Sequence, residues 1–115
     1  MKPYLCSLVA LGLLQGLTGQ LKAQPIYSFT PFDVPGSSVP TYTVANGIND
    51  SGQVVGFFFG ADYINGFLLD NGSYTALHVP GSKATYAYGI NHSGQIVGYY
   101  YDAGGVHGFL ATPVP

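Results

Sequence analysis

Arginine, glutamate and tryptophan do not occur in this 115-residue chain, and cysteine and methionine occur once each. Only three side chains are cationic, Lys2, Lys22 and Lys83. So few cations leave no basic patch to neutralise a phosphate backbone or an anionic membrane surface, and nucleic acid is excluded as a partner. With Cys6 alone, no disulfide can form within the chain. The lack of Glu removes the late bidentate ligand of a calcium-binding loop. A helical apolar period is missing after residue 25, and the spacing of Gly and Pro would break any helix longer than about two turns. Charged residues make up 7% of the chain and apolar ones 47%, which is the opposite of the composition that keeps a chain disordered.

The first 23 residues read as an export signal. Lys2 supplies the positive start, Leu5 to Leu17 is apolar apart from Ser7 and Gln15, and a short polar stretch ends at Ala23. The run is too short and too interrupted for a membrane span but suits a signal peptide, cleaved after Ala23 or after Gly19. A helical conformation is expected for it. Its removal takes away Cys6, Met1, Lys2 and Lys22. What remains, residues 24–115, has one lysine against five aspartates, a net charge of −4 with His neutral. No membrane span is expected after cleavage, and the product is expected to be secreted, periplasmic or held at the cell surface.

What the chain does have is a sentence said twice. Residues 47–56 read GINDSGQVVG and residues 89–98 read GINHSGQIVG, a shift of 42 positions. Phe57-Phe58-Phe59 answers Tyr99-Tyr100-Tyr101, and Gly66-Phe67-Leu68 answers Gly108-Phe109-Leu110. Upstream, Asp33-Val34-Pro35-Gly36-Ser37 answers His78-Val79-Pro80-Gly81-Ser82 at a shift of 45, one three-residue indel apart. A period of this size matches a four-stranded unit that buries its apolar faces only by stacking on a copy of itself.

Each copy resolves into short strands between turn signals. Copy 1, about 37–81, gives Thr41–Ile48, Gln53–Phe59, Ile64–Leu69 and Ser73–Val79. Asn49-Asp50-Ser51-Gly52 makes the first turn, and the hairpin signal Asn71-Gly72 the last. Copy 2, about 82–115, repeats three of them in Ala84–Ile90, Gln95–Tyr101 and Val106–Ala111. A partial strand over 26–36 also runs into V-P-G-S and matches the fourth. The expected fold is all-β: two four-stranded antiparallel units, like propeller blades, offset so that the N-terminal strand completes the C-terminal unit. Two units cannot close a ring. Self-association, a two-sheet sandwich, or membership of a longer repeat protein each resolves that.

The pattern G-I-N-x-S-G-Q-[VI]-V-G, followed by an aromatic run and [HN]-G-F-L, resembles the HAF-repeat family of secreted or cell-surface bacterial proteins, over about residues 26–112. The family is named for a variant of what stands here as His107-Gly108-Phe109. The resemblance implies a propeller-like β array and brings no catalytic activity or cofactor with it.

No convergent chemistry is legible. His78, His92 and His107 lie 14 and 15 residues apart on different expected elements, and their first-copy counterparts Asp33, Asp50 and Asn65 do not keep ligand character. No metal site, catalytic residue or cofactor is therefore expected. Without a G-x-S-x-G elbow, a small extracellular hydrolase is the weakest reading; it would need His and Asp together on one rim. The positive signal is aromatic. Three aromatics in succession put apolar surface on both faces of a strand. Tyr86, Tyr88, Tyr99 and Tyr101, with Phe57 and Phe59, are the candidate surface for self-association or a ligand. The expected function is a non-enzymatic structural or binding module outside the cytoplasm, whose partners are its own copies or a cell-surface component. A glycan-binding module using the Tyr-rich second copy is the alternative.

Overall fold

The computed structural model describes residues 23–115, so the expected signal segment lies outside the described residues. Seven strands follow in chain order: β1 (Thr43–Ile48), β2 (Val54–Phe59), β3 (Ile64–Asp70), β4 (Ser73–Leu77), β5 (Ala84–Ile90), β6 (Ile96–Asp102) and β7 (Gly105–Ala111). No helix occurs among the described residues. β1 to β4 form one antiparallel meander and β5 to β7 a second of the same register. Thr43 faces Phe58 as Thr85 faces Tyr100, and Gly56 faces Phe67 as Gly98 faces Phe109. Even the irregularities repeat: the first pair of each meander slips between Ala45 and Gly47, and again between Ala87 and Gly89. One parallel bridge, Ile64 to Ala84, links β3 to β5 into a single sheet.

The turns explain the repeated letters. Asn49 Oδ1 accepts from the N–H of Ser51 and of Gln53 (3.1 and 2.9 Å), while its Nδ2 donates to Gln53 Oε1 at 2.7 Å. Asn91 does the same with Ser93, Gln95 and Gln95 Oε1 at 3.0, 2.9 and 2.9 Å. Gly52 and Gly94 both sit at φ +81°, where a Cβ would be strained. The N-x-S-G-Q string thus encodes one turn, closed by a side-chain amide that copies a backbone bond. The V-P-G-S string encodes another. Ser37 N–H donates to Val34 O and Ser82 N–H to Val79 O, with Gly36 and Gly81 at φ +83°, the third position of a type II turn after Pro.

Two apolar layers result. Phe67 and Phe58, on one face of the first meander, are covered by Val34 with Phe32, Leu69 and Tyr74 around them. Val55, on the opposite face, packs with Ala87 and Ile96 of the second meander, flanked by Leu68, Leu77, Ile90 and Phe109. The meanders are therefore stacked face to face. Gly66 makes that approach feasible, since a Cβ there would stand 3.3 Å from Ala87 Cβ.

The expected N-terminal strand does not form. Residues 26–34 carry no strand and complete no unit, so the second meander has three strands where four were expected. Phe32 and Val34 instead anchor as side chains on the first meander, Phe32 edge-on to Phe67 at 6.1 Å.

Candidate functional site

Strand alternation places Val97, Tyr99 and Tyr101 of β6, Leu110 and Val106 of β7, and Tyr86 of β5 on the face of the second meander opposite Ala87, Ile96 and Phe109, with Tyr86 at the rim where it meets Phe57 of the first. Their counterparts in the first meander, Val55, Phe57, Phe59 and Leu68, share one sheet face, on which Val55 and Leu68 pack against the second meander. The contrast in exposure is sharp at the paired positions. Val55 is fully buried while Val97 is 49% exposed, and half-buried Leu68 corresponds to Leu110 at 61%. Tyr88, stacked on Tyr99, adds to the same uncovered face.

Glycines carry the same asymmetry. A Cβ on Gly47 would meet Tyr88 O at 2.9 Å, and one on Gly66 would meet Ala87, because the second meander stands directly before them. Gly89 and Gly108 occupy the same places one copy later. A Cβ on Gly89 would touch only Val97 of its own sheet, and one on Gly108 only Gly98 O at 3.8 Å. The second copy thus keeps two small residues that its own packing does not require.

Amides cross the stack as well. Asn46 Nδ2 donates to Ala87 O at 2.9 Å, and Asn49 Nδ2 to Asn91 O at 2.9 Å, its own counterpart 42 residues on. Asn91 holds its turn but has no further strand to reach among the described residues.

The aromatic residues singled out from sequence are brought together. Tyr42 stacks on Phe59 at 4.1 Å, Phe59 neighbours Phe57, and Phe57 meets Tyr86 edge-on at 4.9 Å. Tyr86 stacks on Tyr99 at 4.8 Å, which in turn stacks on Tyr88 at 5.6 Å; Tyr101 lies beside Tyr86 at 6.4 Å. All six candidates therefore belong to one ladder spanning both copies. Tyr42 forms its outer rung. Burial, followed by the neighbouring Tyr101 and Tyr99, holds the Tyr86 phenol above the ordinary tyrosine range. Burial, followed by a hydrogen bond with Tyr88, does the same to Tyr99.

The histidines stay apart. His78 Nδ1 lies 2.9 Å from Asn65 Oδ1, on the first meander. His92 lines a polar cleft of about 510 Å³ between the two Asn turns, with Gln53, Asp70 and Ser93. His107 Nε2 lies 3.1 Å from Asp102 Oδ1, across the β6–β7 hairpin. This pair does put a His beside an Asp, as a hydrolase would need. Among the described residues, however, no Ser or Thr hydroxyl is bonded to His107, and Asp102 is occupied by the Gly104 N–H at 2.8 Å. That N–H first, and His107 second, hold the Asp102 carboxyl below its usual range. No group of three His, Cys, Asp or Glu able to hold a metal ion exists among the described residues, nor does any helix long and apolar enough to cross a membrane.

No family model, curated protein or solved structure matches this chain.

Proposed function

We propose that this chain is an exported, non-enzymatic β-repeat module that works by stacking its repeats against further copies, each meander serving as a propeller-like blade of the HAF type. The observation that carries the reading is the uncovered face of the second meander. It repeats at key positions the surface that the first meander turns to the second: Val97 for Val55, Leu110 for Leu68, Gly108 for Gly66 and Asn91 for Asn49. An apolar face whose twin is an interior contact is built for the same contact. Secretion to the periplasm or cell surface follows from the signal-like first 23 residues.

Sedimentation or light scattering at tens of micromolar should show concentration-dependent association. Leu110→Asp should yield a monomer with an unchanged far-ultraviolet dichroism spectrum. A wild-type chain that stays monomeric under those conditions refutes the reading.

One observation favours a second reading. The exposed rims of Tyr88 and Tyr101 on a stacked ladder suit the flat faces of sugar rings. Retention on an immobilised polysaccharide that is lost in Tyr99→Ala and Tyr101→Ala, with association unaffected, would favour glycan binding over assembly.

A further inference from the structure

In the first meander, β4 closes on β3 in a fixed register. Asp70 pairs with Ser73 around the two-residue Asn71-Gly72 turn, Leu68 with Thr75, and Gly66 with Leu77. The equivalent edge, that of β7, carries β6 on one side and no strand on the other among the described residues. A free strand edge is a template for addition of another chain.

The chain holds a second copy of β4. Ser28-Phe29-Thr30-Pro31-Phe32 precedes Asp33-Val34-Pro35-Gly36-Ser37 just as Ser73-Tyr74-Thr75-Ala76-Leu77 precedes His78-Val79-Pro80-Gly81-Ser82. The downstream halves are structurally the same. Val34 N–H donates to Thr43 Oγ1 at 3.2 Å, and Val79 N–H to Thr85 Oγ1 at 3.1 Å. Phe32 sits on Phe67 and Tyr74 as Leu77 sits among Ala87, Ile96 and Phe109. Yet Ser28–Phe32 has no strand partner, and Phe29 is 90% exposed where its counterpart Tyr74 is half-buried.

The proline is the decisive check. In a two-residue hairpin the closing pair is hydrogen-bonded and bonded pairs then alternate, so Asp70–Ser73, Leu68–Thr75 and Gly66–Leu77 are bonded pairs while Phe67–Ala76 is not. Ala76 N–H therefore points away from β3. Pro31 falls on that position, the one kind of strand site where a missing N–H costs nothing.

Resting on the self-association proposed above, we propose that Ser28–Phe32 of one copy adds as an antiparallel fourth strand to the β7 edge of another copy. The register carried over from β3–β4 sets Phe32 against Gly108, Pro31 against Phe109, Thr30 against Leu110, and Ser28 against Thr112. Phe32 is already anchored on the first meander's outer face, which is the face opposite the one stacked on the second. The acceptor is thus the second meander of a neighbour docked on that outer face, not the chain's own β7. The joint between chains becomes a copy of the joint within one, and repeated head to tail it builds a ring or a filament.

The test uses two single-cysteine variants in a Cys6→Ser background, Ser28→Cys and Thr112→Cys, which the register places as a bonded pair about 5.5 Å apart at Cα. Mixed and oxidised, they should give a disulfide-linked heterodimer. Ser28→Cys mixed with Leu110→Cys, two residues out of register, should not. Thr30→Pro removes an N–H that points at the acceptor edge and should weaken association tenfold or more, while Thr30→Ala should not. Association that persists with no register-specific link and no effect of Thr30→Pro overturns strand donation and leaves stacking standing. A protein that does not associate overturns both. A doubly substituted Ser28→Cys, Thr112→Cys chain that links only within itself overturns the intermolecular assignment.

Discussion

At the scale of single residues, the repeated letters have separate physical duties. Asn49 and Asn91 are fixed because one side chain must accept two backbone N–H groups and hold a Gln. Thr85, fully buried, accepts the Val79 N–H and shares a bond with Ser82 Oγ at 2.9 Å, so its hydroxyl secures the turn that launches the second copy. The tyrosine ladder carries a pH signature. Tyr86 and Tyr99 have phenols raised above their unfolded values, so the folded state holds those protons more tightly. Their contribution to stability is complete below the ordinary tyrosine value of about 10 and is lost as pH rises through the folded values. Phenolate absorbance should therefore titrate late for these two residues. Tyr86→Phe and Tyr99→Phe should each lessen the alkaline loss of stability seen in urea melts; unchanged alkaline sensitivity in both would contradict the burial assigned to the ladder.

At the scale of elements, the glycines set strand geometry more than the apolar residues do. The slip at Asn46 swings the Val44 carbonyl over Gly56, and the slip at Tyr88 swings the Tyr86 carbonyl over Gly98, leaving no space for a Cβ at either. The final Gly of each ten-residue string is thus the partner of a bulge. Gly56→Ala should cost about 3 kcal/mol or more, because the clash is with backbone rather than a movable side chain. Gly108→Ala, facing open space, should change the stability of the monomer by less than about 0.5 kcal/mol while weakening association. Chemical denaturation of the two variants side by side checks both statements, and equal losses would contradict them. All seven strands were legible from alternation and turn residues, to within two residues at each end. The bulges were not, since a slipped pair leaves no mark on the period-two pattern except a glycine that any turn could also explain. The N-terminal segment was misplaced because its sequence is a strand's, yet Phe32 and Val34 anchor it by side chains on the first meander rather than along the free β7 edge.

At the scale of the whole molecule, residues 32–115 share one continuous packing arrangement. Val55 belongs to the first meander by sequence and to the second by contact, and Leu77 likewise. The layer around Val55, Ala87 and Ile96 stays dry only with both meanders in place, so the two should unfold together. Ile96→Val, which removes one buried methylene group from the shared layer, should lower the stability of the entire unit by about 0.5–1.5 kcal/mol. Tyrosine fluorescence and far-ultraviolet dichroism should still report a single coincident transition; two separated transitions would show that the copies are independent. The amino-acid sequence alone determined the repeat, the all-β class, the turns and the aromatic set, because each of these is written in local spacing and side-chain chemistry. Only the tertiary structure decided which copy of each repeated face is covered and which is left open. Identical strings carry identical surfaces, and burial is a property of the neighbour rather than of the string.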